Sequence, residues 1–234
     1  MSDAESPPAA EALAAALGHE FRDPELAERA LRHASFSHEG AELPSNERLE
    51  FLGDAVLGLV VAEHLYREHP DWNEGALTRA RAALVNRGTL ASCARALGLG
   101  PLVRLGRTEQ RSGGAEKESI LANCFEAVLG AVYLDGGIEP AIGLARRALG
   151  SASPRSEPPR DPKTALQEWA HAWLRRTPSY HTSHDSGVED DDARFTVEVR
   201  IGVETWGSGA GRTKRAAERE AAEQALARAG RSDG

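Results

Sequence analysis

The stretch Asn46-Glu-Arg-Leu-Glu-Phe-Leu-Gly-Asp-Ala-Val-Leu57 combines an apolar helical pattern with three acidic residues. Glu47, Glu50 and Asp54 recur at i, i+3 and i+7, so a helix would carry all three on one face. Like charges placed in this way repel one another by roughly a few tenths of a kcal/mol per pair. Two interpretations remain open: an ordinary solvated acidic face, or carboxylates gathered for a cation.

Gly53 favours the second interpretation. A glycine inside a helix costs about 1 kcal/mol relative to alanine, so its use next to Asp54 needs a reason. We therefore expect another backbone or a ligand to approach the helix closely at this position.

A second polar pair lies in the apolar segment Ser119-Ile-Leu-Ala-Asn-Cys-Phe-Glu-Ala-Val-Leu-Gly130. Asn123 and Glu126 are spaced i, i+3 on one face, and a buried glutamate needs a partner. That partner could be a metal shared with the first helix, or Glu126 could simply cap or pair with a cation. Because all candidate ligands are oxygens, Mg²⁺ or Mn²⁺ would suit them better than zinc.

The pattern before residue 150 is helical. Asp23, followed by Pro24, predicts one helix start, and Asn46 predicts the cap of a long helix that ends near His69. The apolar face of that helix should consist of Leu49, Leu52, Val56, Leu59 and Val60. Asn73 predicts the cap of a helical region that continues to Gly98 or Gly100. We expect a loop containing Gly106, Gly113 and Gly114, and then helices at about 117–134 and 139–149.

The pattern changes after a proline-rich stretch at 151–160, which we interpret as a linker. Residues 162–174 are predicted to be helical, with Leu166, Trp169, Ala170 and Trp173 on one face. Residues 195–201 alternate strictly and predict a strand, flanked by strands near 180–183 and 204–207. A helix at 213–229 follows, with Ala217, Ala221, Ala225 and Leu226 facing inward. The predicted organisation is a disordered stretch at 1–8, a helical domain at 9–150 and a small α-β-β-β-α domain at 161–230.

Composition narrows the class of protein. Of 234 residues, 41% are hydrophobic, which suffices for packed cores. The formal net charge of −8 weighs against a nucleic-acid partner without excluding one, because local patches matter more than total charge. Two cysteines are too few for a disulfide scaffold. Since no signal-like segment and no apolar run of about 20 residues is present, we expect a cytoplasmic protein without a membrane partner.

Taken together, these features resemble the bacterial ribonuclease III family. The resemblance rests on Asn46–Asp54, followed in order by Glu74-Gly75 after Trp72-Asn73, by Ser112-Gly-Gly114 and by Ser119–Glu126, and it spans about residues 17–230. It implies an all-helical endonuclease domain that forms a homodimer, with one site per subunit and each site cutting one strand of an RNA duplex. It also implies 5′-phosphate products, a metal-activated water and the processing of ribosomal, messenger and transfer RNA precursors.

The resemblance assigns roles to individual residues. The implied ligands of Mg²⁺, or of Mn²⁺ as a substitute, are Glu50, Asp54, Asn123 and Glu126. Asp54 and Glu126 are implied to be the essential catalytic pair, and Glu47 and Glu74 further acidic residues of the cleavage valley. Phe51 matches an apolar residue that fills a pocket of the partner subunit.

Residues 161–230 resemble a double-stranded RNA-binding domain. Glycines in 207–211, which we expect to be flexible, precede a predicted helix start that carries Arg212, Lys214 and Arg215, a combination that favours phosphate. Gln167 and Glu168 match positions that reach the minor groove in that family, although ordinary exposed helix residues would look the same. Other interpretations of the glycine-rich segment fit less well. A dinucleotide-binding loop would need a surrounding βαβ unit, and a P-loop would need a different glycine-to-lysine spacing. A plain helix cap with solvated cations stays open.

Two departures from the family pattern bear on function. Many members carry Asp where this chain has Asn123. The asparagine keeps an oxygen that can ligate a metal but lacks the negative charge of aspartate. The stretch Glu189-Asp-Asp-Asp192 places four acids where RNA should lie, so either this loop turns away or RNA binds weakly. A non-cleaving RNA-binding regulator and a helical dimerisation protein with an unrelated small domain are the rival functions. We expect His181 and His184 to be solvated and Cys124 to be a core residue.

Overall fold

The computed structural model describes residues 9–38, 43–150 and 160–232. The chain divides into two compact units, one ending at Pro158 and the other beginning at Pro159. The predicted disordered stretch at 1–8 and residues 151–159 of the predicted linker lie outside the described residues.

The first unit is helical in its described residues, apart from short turns and a single isolated bridge between Arg32 and Arg104. Its helices are α1 (Ala9–Leu17), α2 (Pro24–Ala30), α3 (Ala34–His38), α4 (Glu47–Glu68), α5 (Glu74–Leu84), α6 (Arg87–Ala96), α7 (Arg107–Arg111), α8 (Glu118–Gly136) and α9 (Ile138–Leu149). The predicted loop near residue 106 contains the short α7 and a 3-10 turn at Gly114–Glu116, so it is more structured than expected.

Side-chain caps fix several of the helix starts. Asp23 accepts from the Glu25 amide and Asn73 accepts from the Ala76 amide, as predicted. The predicted helical region from 74 to 98 is wrong in one respect, because Asn86 caps a new helix by accepting from the Thr89 amide at 3.0 Å. The apolar spacing continues across this break, which is why periodicity did not reveal it.

Asn46 precedes α4 but does not cap it as predicted. Its backbone is already helical, with φ −80° and ψ −6°, and its side chain makes no capping bond. The side-chain amide instead donates to the Ala30 carbonyl at 3.1 Å, and its backbone N–H donates to the Arg32 carbonyl at 2.8 Å. Asn46 therefore ties the start of α4 to the end of α2.

Helices α4 and α8 form the centre of the unit and cross where each carries a glycine. A Cβ atom on Gly53 would collide with the Glu126 carbonyl, and one on Gly130 would collide with the Leu49 carbonyl. The close backbone approach expected at Gly53 is thereby confirmed. This crossing brings the acidic face of α4 against the segment of α8 that carries Asn123 and Glu126.

The core around this crossing is apolar. Leu49, Val56 and Val60 of α4 are buried, whereas Leu59 is 61% exposed, contrary to the prediction. Leu52 is only half-buried, and Leu59 lies at the border of the apolar face of α4. The buried face is therefore narrower than the spacing of apolar residues predicted. Helix α8 is long and apolar enough to cross a membrane, but most of it is buried inside this unit, as in the core helix of a globular domain.

The second unit is an antiparallel sheet with two helices. It contains α10 (Pro162–Leu174), β1 (Ser179–Asp185), β2 (Phe195–Ile201), β3 (Glu204–Gly211) and α11 (Lys214–Ser232), with strand order β1-β2-β3. The predicted strand at 195–201 is confirmed, and its alternate residues Val197, Val199 and Ile201 are buried. This α-β-β-β-α order agrees with the predicted fold class of the second domain.

Two expectations about this unit need correction. Trp173 is 69% exposed although Leu166 and Ala170 on the same helix face are fully buried, because Trp173 sits in the last turn of α10, where the buried face ends. The glycines before α11 do not form a flexible loop. Gly207 and Gly209 lie in β3, where a Cβ atom would collide with the backbone of α11 at Ala221, so they allow the strand and helix to pack closely.

Candidate active site and RNA-binding groove

An acidic cavity of about 410 Å³ opens beside the crossing of α4 and α8. Its lining residues come from these two helices and from the segments at 33–34 and 46. They are His33, Ala34, Asn46, Glu47, Glu50, Phe51, Asp54, Asn123 and Glu126. Five of the predicted acidic and amide site residues thus meet in one cavity, although their catalytic roles remain predictions.

The carboxylates of this cavity oppose each other's ionisation. Burial, followed by the charges of Asp54 and Glu50, raises the pKa of Glu126 to about 7. Burial and the neighbouring charges of Glu47 and Asp54 also raise the pKa of Glu50, while a hydrogen bond from Asn123 partly offsets this rise. The cavity therefore collects negative charge at a cost that a bound cation would relieve.

The chemistry of the lining residues fits a hard divalent cation. Every candidate ligand offers an oxygen, which suits Mg²⁺ or Mn²⁺. Among the described residues, no group of three or more His, Cys, Asp or Glu side chains is arranged to hold a metal ion. An ion held here would keep several waters, as Mg²⁺ commonly does.

Asn123 contacts Glu50 directly. The amide group of Asn123 donates to the Glu50 carboxylate and thereby lowers the pKa of Glu50 relative to the effect of burial alone. Asn123 therefore bridges α8 to α4 as well as offering an amide oxygen to the cavity. An aspartate in its place could not donate this hydrogen bond in its ionised form.

Glu74 lies apart from this group within one subunit. It starts α5, accepts from the Thr78 hydroxyl at 2.9 Å and lines a different pocket together with Leu65 and Tyr66.

Phe51 lies at the rim of the acidic cavity and is 79% exposed, which is unusual for a phenylalanine.

His33 is a cavity residue that the sequence analysis missed. It precedes α3, and its backbone N–H donates to the Arg104 carbonyl at 3.1 Å. The isolated bridge between Arg32 and Arg104 holds the same segment. The only signal was a histidine outside any acidic pattern, at His33-Ala-Ser35.

The second unit has a basic groove between the start of α10 and the start of α11. The groove is lined by Asp161, Lys163, Thr164, Gln167, Thr213, Lys214, Arg215, Ala216, Glu218 and Arg219. Lys214 and Arg215 are exposed at the first turn of α11, where backbone N–H groups and the helix dipole favour an anion. Three of the predicted RNA-binding residues, Gln167, Lys214 and Arg215, therefore share one surface.

The other two predicted RNA-binding residues are engaged within the unit. Glu168 pairs with Arg160 at 3.3 Å, and Arg212 pairs with Asp190 of the acidic loop at 2.6 Å. The acidic loop is ordered: Asp191 accepts from the Ser186 hydroxyl at 2.6 Å and from the Ala193 amide at 2.9 Å. Whether the loop turns away from RNA or weakens RNA binding stays a prediction; the structure shows that one of its acids pairs with a predicted RNA-binding cation.

Three further sequence expectations can be checked. Cys124 is a core residue as predicted, and complete burial raises the pKa of its thiol to about 12. His181 and His184 are both exposed on β1, which agrees with the expected solvated role.

Comparison with known proteins matches each unit to a family. A family model described as ribonuclease-III-like matches residues 23–151, and one for the double-stranded RNA binding motif matches residues 162–228. The chain belongs to the ribonuclease III family. As a family member with this RNA-binding motif, it is a metal-dependent endoribonuclease for double-stranded RNA.

The similarity to other ribonuclease III proteins extends over most of the chain. Ribonuclease 3 of Thermobifida fusca is 49% identical over 86% of this chain and 85% of its own length. Ribonuclease 3 of Cereibacter sphaeroides is 49% identical over 91% of this chain and 92% of its own length. A solved nuclease domain of ribonuclease III from Campylobacter jejuni is 40% identical and covers 67% of this chain and 99% of the solved one, with a TM-score of 0.57.

Proposed function

We propose that the acidic cavity is the phosphodiester-hydrolysing site of this ribonuclease III, with Mg²⁺ or Mn²⁺ held by Glu50, Asp54, Asn123 and Glu126. The observation that carries this proposal is that these four side chains, from two crossing helices, line one cavity. Burial there, followed by the charges of Asp54 and Glu50, raises the pKa of Glu126. Asp54 and Glu126 would be the essential pair, because they come from different helices, line the same cavity and lie close enough for the charge of Asp54 to raise the pKa of Glu126. Glu47 and, in the assembled dimer, Glu74 would extend the acidic valley.

A bound divalent cation would activate a water for attack and stabilise charge on the phosphate. The chain's own residues would orient this chemistry. Glu126 would hold the cation in its ionised form, while Asn123 would keep the Glu50 carboxylate in place through its amide. The resulting cuts would leave 5′-phosphate ends.

Phe51 supports a dimer. A phenylalanine that is 79% exposed beside the cavity is suited to a pocket on a second copy of the chain. A second solved nuclease domain of ribonuclease III from Campylobacter jejuni is 44% identical, with a TM-score of 0.56. The match covers 59% of this chain and 94% of the solved one, whose description reports structural flexibility in a region involved in dimer formation. We infer that each subunit of a homodimer cuts one strand.

Phe51→Ala should weaken this dimer, because truncating a central interface aromatic commonly costs about 2 kcal/mol or more. Sedimentation at several concentrations measures the change. Tyr66→Ala provides a control, since Tyr66 is a similarly exposed aromatic that lies about four turns further along α4. A dimer of unchanged strength in the Phe51 variant would exclude this residue from the interface.

The double-stranded RNA-binding motif would dock duplex RNA through Gln167, Lys214 and Arg215, with Glu168 and Arg212 contributing after their ion pairs open. Such modules recognise duplex shape, 2′-hydroxyls and phosphates. We propose a cytoplasmic enzyme that processes ribosomal, messenger and transfer RNA precursors.

The deciding experiment incubates purified protein with a long RNA duplex, the same sequence as single strands, and a DNA duplex. Cleavage should occur only for the RNA duplex, should need Mg²⁺ or Mn²⁺, should stop with EDTA, and should leave 5′-phosphates that a phosphatase removes. Efficient cleavage in EDTA would exclude the metal-dependent site.

A non-cleaving RNA-binding protein is the second candidate, and only Asn123 favours it. Asn123→Asp separates the two. For a nuclease, the aspartate should lower the Mg²⁺ concentration that gives half-maximal cleavage, with unchanged products. If the wild type is inert and the aspartate variant cuts, the wild-type chain is a binding protein.

A further inference from the structure

His33 enters the acidic cavity from outside the two metal-binding helices. It lies between α2 and α3 and lines the cavity with Glu47, Glu50 and Glu126. Its backbone N–H donates to the Arg104 carbonyl, so a segment outside α4 and α8 helps to hold the ring at the cavity.

Hydrogen bonds to the imidazole fix where its proton resides. The Ser35 backbone N–H donates to Nδ1 of His33 at 3.2 Å, and a backbone N–H can only donate. The Ser35 hydroxyl lies 2.9 Å from the same nitrogen and itself accepts from the Gly106 N–H at 3.0 Å. This arrangement directs the Ser35 hydroxyl proton towards His33. Nδ1 is therefore an acceptor, and a neutral His33 carries its proton on Nε2.

The ring is also held in its neutral form. Burial is the largest effect and lowers the pKa of His33; the carboxylates of Glu109 and Glu47 oppose this, and Lys117 adds to it. A neutral ring contributes a donor without adding a positive charge that would repel a cation in the cavity.

The other polar side chains of the cavity are acceptors or already engaged. Glu47, Glu50, Asp54 and Glu126 carry carboxylates, the Asn46 amide donates to Ala30, and the Asn123 amide donates to Glu50. Each of these two amides commits one of its two N–H donors in this way, whereas the hydrogen bonds of the His33 ring use Nδ1 and leave Nε2 to serve a ligand of the cavity. A phosphodiester brought into the cavity presents oxygen acceptors that need such a donor.

We propose that Nε2–H of His33 donates a hydrogen bond to a non-bridging oxygen of the scissile phosphate. This inference rests on the proposed function of the cavity. The bond would strengthen as negative charge grows on that oxygen, so His33 would act on the rate of hydrolysis more than on duplex affinity.

Two variants separate the two ring nitrogens. In His33→Asn the side-chain oxygen can replace Nδ1 as acceptor for Ser35, but the distal donor is lost. In His33→Gln an amide N–H reaches the Nε2 position, but the Nδ1 acceptor is lost. We expect kcat for cleavage of an RNA duplex to fall roughly 10- to 100-fold in His33→Asn, as for one hydrogen bond to a charged group, and to fall much less in His33→Gln. Duplex binding measured in EDTA should be unchanged in both.

Substituting sulfur for one non-bridging oxygen at the cleaved bond identifies the contact directly. Sulfur is a poor acceptor, so one phosphorothioate diastereomer should slow the wild type by an additional factor that is absent in His33→Asn. Equal sulfur effects in wild type and variant, for both diastereomers, would overturn the proposal. If the wild type cuts no RNA at all, the proposed function fails instead.

A spectroscopic measurement on the wild-type protein tests the proposal even if both His33 variants fold poorly. The nitrogen chemical shifts of His33 in the wild-type protein report which ring nitrogen carries the proton. An unprotonated Nδ1 and a protonated Nε2 are expected at pH 7.5. A protonated Nδ1 would overturn the proposal without any variant.

Discussion

The acidic cavity and the basic groove use charge in opposite ways. The cavity gathers like charges at the crossing of two packed helices, and half-burial raises the pKa of Glu126 to about 7. The groove presents Lys214 and Arg215 on an exposed first helical turn, where water already solvates them. Under the proposed function, a cation would offset the charge of the cavity, whereas the groove would bind phosphate without one.

This contrast predicts different responses to mutation. Residues that share one cation act as a unit, so removing one member should disable the whole site. Exposed phosphate contacts contribute separately, so each loss should weaken binding by a limited and salt-dependent amount. The following predictions test this contrast.

Glu126→Gln should lower the cleavage rate by at least about 100-fold, because a shared ligand charge is lost from the site. Binding of an RNA duplex in EDTA should be nearly unchanged, since the groove lies in the other unit. Glu118→Gln is the matched control: Glu118 is exposed at the start of the same helix. A Glu126 variant that cuts at the wild-type rate would remove this residue from the site.

Lys214→Ala combined with Arg215→Ala should weaken duplex binding about tenfold at physiological salt. It should also reduce the slope of log affinity against log salt by about two units, roughly one per phosphate contact. Titrations at several salt concentrations measure both values. Arg200→Ala serves as control, because Arg200 is exposed and alternates with the buried Val199 and Ile201 on β2. An unchanged slope would place the RNA elsewhere.

The metal-free protein should become more stable as pH falls from about 8 towards 5. Glu126 binds a proton more tightly when folded, with its pKa raised from 4.5 to about 7, so the folded state takes up protons over this interval. The stabilisation is fully present below the unfolded pKa of 4.5 and is lost as pH rises through the folded pKa of about 7. The melting temperature should shift by about a few degrees, and less in Glu126→Gln. An identical pH profile in wild type and variant would contradict the crowding of charges.

Asp190→Asn should tighten RNA binding about two- to fivefold, since an exposed ion pair contributes up to about 1 kcal/mol and its loss frees Arg212. Asp192→Asn removes the same charge from the same loop and is the control. If both variants tighten binding equally, the loop acts through its total charge and the Arg212 pair has no special role.

Local spacing accounts for much of the fold and of the candidate site. The i, i+3, i+7 pattern of Glu47, Glu50 and Asp54 placed them on one helix face, and strict alternation identified the strand at 195–201. Gly53 signalled a close approach of another backbone. These features depend on neighbours within a few residues along the chain, so the sequence alone can reveal them.

Contacts between distant segments decided the rest. His33 reaches the cavity because the Arg104 segment holds it there, and Asn46 forgoes its cap to bind Ala30. Leu59 and Trp173 carry the right spacing for burial, but no neighbouring element covers them fully in the described structure. The glycines of β3 looked like a flexible loop because the packing of α11 against them appears nowhere in the local pattern. The sequence thus determined which face of each element is acidic or apolar, and only the tertiary structure decided which faces meet, because that choice depends on the shape of the partner surface.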